Sequence, residues 1–292
     1  MIDQFLRYLE YEKRYSPHTI QAYREDINSF TQFISQTFDL QDIRDVAHVQ
    51  VRAWIVELVE SGNSPRTVNR KVASLKSLFK FLLSREQITQ NPTSRVRPLK
   101  TDKKLPQFVK EKELDQLFDQ EFFSIDFAGL RDQLILALLY ASGARLAELI
   151  GIRLGDVDLF NGTIKVLGKR NKERVIPLTG EIVNNIKTYL KIREQALDAP
   201  CEYLLVTDSG KKMYPVFVQR KVKSYLSKVT TLSKKSPHVL RHTVATHLLN
   251  NGADLNAVKD LLGHANLAAT QVYTHNTLEK LKSTFDQAHP KA

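Results

Sequence analysis

The chain has little of what would cross-link it or carry it through a membrane. It contains one cysteine, Cys201, in 292 residues. That excludes a disulfide framework and a zinc site built from several thiolates. The longest unbroken apolar run, Leu134 to Ala141, has eight residues, far short of the ~20 that a membrane-spanning helix requires. The opening MIDQFLRYLEYEKRY is charged from its third residue, which does not fit a secretory signal. Carboxylates are missing from Ser209 to Ala253, so that stretch offers none of the clustered acids of a two-metal nuclease. These absences imply a reducing, cytoplasmic setting with no membrane association.

What is present is mostly positive charge. Lys and Arg number 43 against 32 Asp and Glu, a net of +11. At 42% hydrophobic and 26% charged, the chain reads as globular and is long enough for two domains. A net of +11 permits nucleic-acid binding without requiring it, but its distribution is informative. Residues 1–63 hold six basic and ten acidic residues, whereas residues 64–104 hold eleven basic and two acidic. From Ser209 to Ala253 nine basic residues face no acid. A solvated surface mixes both signs, so two separate basic segments point to a polyanion held at two places.

The first hundred residues carry helical signals. Ser16-Pro17 supplies an N-cap and a first-turn proline, and Ile20, Tyr23, Ile27, Phe30 and Ile34 follow at helical spacing. A second helix is expected from Asp45 to Glu60, ending near Gly62. Ser64-Pro65 repeats the start signal ahead of the stripe Val68, Val72, Leu75, Phe79 and Leu82. Arg66, Arg70, Lys76 and Lys80 fall on the opposite face, which is expected to lie along a phosphate backbone. Residues 1–90 therefore read as a helical DNA-binding bundle. Residues 91–106, with Pro92, Pro98 and Pro106 and no periodicity, read as an extended basic linker.

Residues 107–292 read as a second domain. Helices are expected over Lys110–Phe122 and Phe127–Tyr140. Val157–Phe160 and Thr163–Leu167 flank Asn161-Gly162 as a hairpin, with a third strand at Arg174–Leu178. Helix then returns, with a start at Ser236-Pro237 and a stop at Gly252. The fold class is mainly α with a small antiparallel β-sheet.

Several polar residues of this second half sit where packing alone would not choose them. Arg145 follows Ser142-Gly143-Ala144 at the end of LILALLYA, with Glu148 one turn on, so a structural i to i+3 ion pair is one reading of it. His238 and Arg241 are three apart at a helix start and would share a face. His264 follows the glycine of LLGH, and Tyr273 lies nine residues later in TQVYTH. His238 and His242 have the spacing of a helical metal pair, but no glutamate or thiolate accompanies them. His242 and His247 read as helix-packing or phosphate-side residues, and no metal site is expected.

Together ASGARLAEL, LGKRNKERVIPL, SPHVLRHTVATHLL and LLGHANLAATQVYTH, in that order, closely resemble the tyrosine recombinase (phage integrase) family. The resemblance covers the whole chain and is greatest to the Xer-type recombinases that resolve chromosome dimers. It implies a core-DNA-binding bundle and a mixed α/β catalytic domain that clamp duplex DNA. It also implies strand cutting and rejoining through a 3′-phosphotyrosyl bond, without metal, ATP or other cofactor. By that resemblance Tyr273 is the nucleophile, and Arg145 and Arg241 hold the non-bridging phosphate oxygens with paired donors that stay charged. His238 assists proton movement, His264 hydrogen-bonds the phosphate, and Glu148 orients its neighbours. Lys169 protonates the leaving oxygen; Lys165 and Lys172 lie close to it and could serve in its place. The apolar residues Leu278, Leu281, Phe285 and Ala288 mark a terminal helix, 277–288, for exchange between protomers, although docking on its own domain remains open. The implied partners are duplex DNA with specific recombination sites, a homo- or hetero-tetramer with a related recombinase, and a septal DNA translocase. An integrase of a mobile element, a type IB topoisomerase and a non-catalytic DNA-binding protein are the alternatives.

Overall fold

The computed structural model describes residues 1–101, 107–118, 122–168, 173–197 and 199–263. The chain divides into two compact units, Met1–Lys104 and Leu105–Ala292.

The first unit is helical. Helix α1 (Ile2–Arg7) continues into a wider single turn over Tyr8–Glu12 and is followed by α2 (Pro17–Phe38), α3 (His48–Glu60) and α4 (Pro65–Ser84). Both Ser-Pro signals cap as expected: the Ser16 hydroxyl accepts from the Thr19 amide, and Ser64 from Thr67. The stripe Val68, Val72, Leu75, Phe79 and Leu82 is buried, and Phe30 meets Trp54 edge-on at 5.0 Å.

Two local expectations need correction. The expected Asp45–Glu60 helix begins at His48, because Val46 and Ala47 are extended and the Gln50 side chain accepts from the Ala47 amide. Residues 91–101 are also not a free linker. Thr93 is 1% exposed, Val96 is buried, and Asn69 of α4 exchanges two hydrogen bonds with the Leu99 backbone at 2.9 and 2.8 Å. A chain without periodicity can still be tied down when a helix presents an amide side chain to it.

The second unit is built on α6 (Phe127–Ser142), preceded by α5 (Glu111–Leu117). Every residue from Leu134 to Ser142 is buried, as expected of a helix that is apolar all round. Helix α5 is shorter than the Lys110–Phe122 expected, ending at Leu117. Next come α7 (Leu146–Gly151) and three strands, β1 (Val157–Asp158), β2 (Thr163–Leu167) and β3 (Glu173–Pro177). They pair antiparallel in the order β1-β2-β3, with Ile164 opposite Ile176 and both facing the core. β1 is shorter than expected because the Asp158 carboxylate accepts from the Phe160 and Asn161 amides and turns the chain early. The rest is helical: α8 (Gly180–Ala196) against α6, then α9 (Pro215–Val229), α10 (Pro237–Asn250) and α11 (Leu255–Leu262).

Candidate active site

The site grows from the end of the buried helix. α6 stops at Gly143, which adopts φ +55°, and a Cβ there would lie 2.6 Å from Leu262. That turn places Arg145 at the N-cap of α7. The Glu148 carboxylate, three residues on, accepts from the Arg145 amide and from its Nη1, both at 2.7 Å. The structural ion pair and the candidate phosphate ligand are thus the same residue. Arg145 keeps a side chain 39% exposed, and its Nη2 donates to the Gly263 carbonyl at 3.0 Å.

Arg241 reaches the same place from α10. It is buried, and its two terminal nitrogens donate to the carbonyls of Gly143 and Leu262. Each terminal nitrogen carries two hydrogens, so one on each is uncommitted by these bonds. Burial, followed by the charges of Arg145 and Arg174, pulls the Arg241 guanidinium down to about 10, while Glu148 opposes the shift. His238, three residues earlier, is exposed, so the shared helix face does not bring the two side chains to one depth. His242 is half-buried and held below the ordinary histidine value by burial and then by the charge of His238.

The helix break expected before His264 is present: α11 ends at Gly263, at φ +63°. His264, Lys169, Lys172, Tyr273 and the 277–288 segment lie outside the described residues. Lys165 is on the outward side of β2, 3.7 Å from the Glu173 carboxylate.

One residue of the cluster was missed in the sequence. Arg174, on β3, is 5% exposed and donates from Nη1 and Nη2 to the two oxygens of Glu148 at 2.9 and 2.8 Å. Its Nε donates to the Leu261 carbonyl at 3.1 Å. The signal was available in the period-2 pattern, which puts Arg174 on the same inward face as Ile176. Burial alone would push the Glu148 carboxyl up; the bonds from Arg174 and Arg145 outweigh it, and the net direction is down. Of its two expected roles, packing or facing the phosphate, His247 has the surroundings of the first: it is buried with its Nδ1 3.0 Å from the Tyr140 hydroxyl.

The four basic residues proposed for the phosphate backbone fall into two pairs. Arg66 and Lys80 are exposed, as is half of the Arg70 side chain. Arg70 is 2.5 Å from the almost fully buried Asp26 carboxylate, and Lys76 donates to the Val96 carbonyl at 2.7 Å. The amphipathic pattern of α4 places all four on one side but cannot show these internal partners, because both come from segments distant in sequence.

Chemically, the cluster offers fixed cations around one buried carboxylate, a setting suited to an anion with several oxygens. Comparison with known proteins agrees with that reading. Residues 107–280 match the "Phage integrase family" and residues 2–86 match "Phage integrase, N-terminal SAM-like domain". The tyrosine recombinase XerC of Bacillus subtilis (strain 168) is 38% identical over 292 residues, covering 99% of this chain and 95% of its own. The XerC of Chlorobaculum parvum is 38% identical over 317 residues, covering 100% and 94%. Among solved structures, the Tn1549 transposon integrase in complex with circular intermediate DNA superposes with a TM-score of 0.71, at 21% identity, over 96% of this chain and 98% of that one. The XerH site-specific recombinase bound to difH substrate gives 0.70, at 23% identity, over 97% and 84%. These two likenesses concern the fold.

Proposed function

This chain belongs to the phage integrase family and is a site-specific tyrosine recombinase that acts on DNA, and on that premise we propose that it resolves chromosome dimers in the manner of the Xer group. The observation that carries the reading is the 38% identity to XerC proteins sustained over 99–100% of the chain, which leaves no room for a separate domain of other function within it. In support, Arg145 and Arg241 converge on the end of α11, directly before His264 in the sequence.

In this proposal the Tyr273 oxygen attacks the scissile phosphorus and the 5′-oxygen leaves, so one phosphoester is exchanged for another and no external energy source is needed. The phenol proton passes to a base, assisted by His238, and Lys169 supplies a proton to the departing oxygen. Arg145 and Arg241 hold the non-bridging oxygens, with His264 as a further donor. Rejoining is the reverse, with the 5′-hydroxyl of the partner strand as nucleophile. Glu148 keeps Arg145 extended towards the phosphate. The protein works as a tetramer on paired DNA sites in the cytoplasm, with a related recombinase or further copies of itself, and with a septal DNA translocase as activator. Among the described residues no helix is long and apolar enough to cross a membrane.

Immunoprecipitation of cross-linked Tyr273→Phe protein, followed by sequencing of the bound DNA, tests the assignment. A single site at the replication terminus is the expected result. Sites at the ends of a mobile element would replace the proposal with integration, and relaxation of plasmids lacking any site would replace it with a topoisomerase.

A further inference from the structure

We infer that Arg174 is a positioning residue for the recombination reaction, which locks Glu148, and through it Arg145, to the end of α11. The inference rests on the reading of Arg145 and His264 as phosphate ligands given above.

Three consecutive carbonyls at the close of α11 each accept from a different arginine. Leu261 takes Arg174, Leu262 takes Arg241 and Gly263 takes Arg145. These are the orphan acceptors and the negative pole of the helix, so cations are stabilised there. The three arginines are not equivalent. The Arg145 side chain is 39% exposed and open to a ligand, whereas that of Arg174 is 6% exposed. Arg174 cannot meet DNA from that depth, so any effect it has on strand cleavage passes through its neighbours.

Its neighbours are two other elements. Both Glu148 oxygens, on α7, take a parallel pair of bonds from Arg174 at 2.9 and 2.8 Å, and the third bond goes to α11. A planar group bonded on three of its edges has no freedom to rotate, so α7 and α11 are registered against β3. Residue 263 also passes close to the Arg174 side chain. A Cβ added at Gly263 would be 3.2 Å from Arg174 Nη1 and 3.3 Å from its Cδ. Glu148 then presents its Oε1 to Arg145 at 2.7 Å in a fixed direction. The chain leaves Gly263 towards His264 from a fixed point. Lysine could keep the charge but not the three directed bonds.

The test uses the full chain and a nicked suicide duplex carrying the site that the wild-type protein selects from a randomised DNA pool. Adduct formation is followed in single turnover at saturating protein, with affinity and melting temperature measured in parallel. Arg174→Lys should bind the duplex within threefold of wild type and melt as a folded protein, yet form adduct at least thirtyfold more slowly. Arg174→Gln combined with Glu148→Gln should be no slower than the slower single variant, because both act through one carboxylate. Arg174→Lys reacting within threefold of wild type would overturn the inference. So would fully additive effects in the double variant, or a rate loss matched by an equal loss of affinity or folded protein. If Arg174→Gln fails to fold, the Arg174→Lys rate decides. Absence of adduct with the wild-type protein would instead refute the recombinase chemistry itself, a result distinct from any loss specific to Arg174.

Discussion

The Arg145 guanidinium donates to the carbonyl of Gly263 at 3.0 Å, joining the start of α7 to the end of α11 across 118 residues of sequence. A candidate phosphate ligand and the residue preceding His264 are therefore held as one unit in the second compact unit of the chain. The consequences can be measured position by position.

On the proposed mechanism, Tyr273→Phe removes only the attacking oxygen. DNA affinity should stay within about twofold on a gel-shift titration, since no contact to the backbone is removed. No covalent protein–DNA band should form on a suicide substrate, and a persistent band would assign the nucleophile elsewhere.

Arg145→Ala removes one charged donor pair and leaves the Glu148 carboxylate with Arg174 and the backbone amide of residue 145. By analogy with loss of a single oxyanion donor, cleavage should fall roughly 10²–10³-fold. Equilibrium affinity for the duplex should change little. Equal losses of rate and affinity would make Arg145 a binding residue only.

The pairs on α4 should separate in a salt titration. Each phosphate contact contributes about 0.9 to the slope of log K against log salt. Arg66→Ala and Lys80→Ala should each lower that slope by about one contact with the melting temperature unchanged. Lys76→Ala, which frees the Val96 carbonyl, should lower the melting temperature and leave most of the slope intact.

Gly263→Ala meets two obstacles. A left-handed backbone at φ +63° costs a residue with a Cβ roughly 1–2 kcal/mol, and the new methyl presses on Arg174. A drop of several degrees in melting temperature is expected, with adduct formation slowed further than the lost folded fraction explains. A variant that melts and reacts like wild type would show that the tight approach is dispensable.

Stability should weaken on mild acidification. Burial holds the His247 imidazole below its ordinary 6.5, against the opposing charges of Glu111 and Asp115, and His242 is shifted the same way. The unfolded chain therefore takes up protons first as pH falls through 6.5, and folding stability declines until the folded-state values are passed. Urea denaturation at pH 7.5 and pH 5.5 should show the loss, and His247→Gln should reduce it. Glu148 behaves as a depressed carboxyl: its contribution is present above about 4.5 and is lost as pH drops through its lower folded value.

Much of the fold was legible because its signals are local. The Ser16-Pro17 and Ser64-Pro65 starts, the stripe from Val68 to Leu82 and the sheet of β2 and β3 each follow from spacing within a short window. Boundaries failed where a distant or capping side chain intervened, as Gln50 does at Ala47 and Asn69 does at Leu99. Among the site residues, Arg145, Glu148 and Arg241 were marked by position in motifs, and the structure brings all three together. Arg174 reads in the sequence as one residue of a strand, because the carboxylate that its inward-facing charge pairs with, Glu148, lies 26 residues away.

The amino-acid sequence by itself determined the two-part helical organisation, the basic segments and the order of the motif residues. Those follow from periodicity, capping chemistry and charge, which need no knowledge of what lies across the core. Only the tertiary structure decided which cations have a partner within the protein, a pairing that still leaves half of the Arg70 side chain exposed. Arg70 and Lys76 look like Arg66 and Lys80 on a helical wheel, yet Asp26 and Val96 claim the first two. Likewise three arginines from three elements converge on consecutive carbonyls of α11, because a buried charge must find partners and the fold brings those within reach.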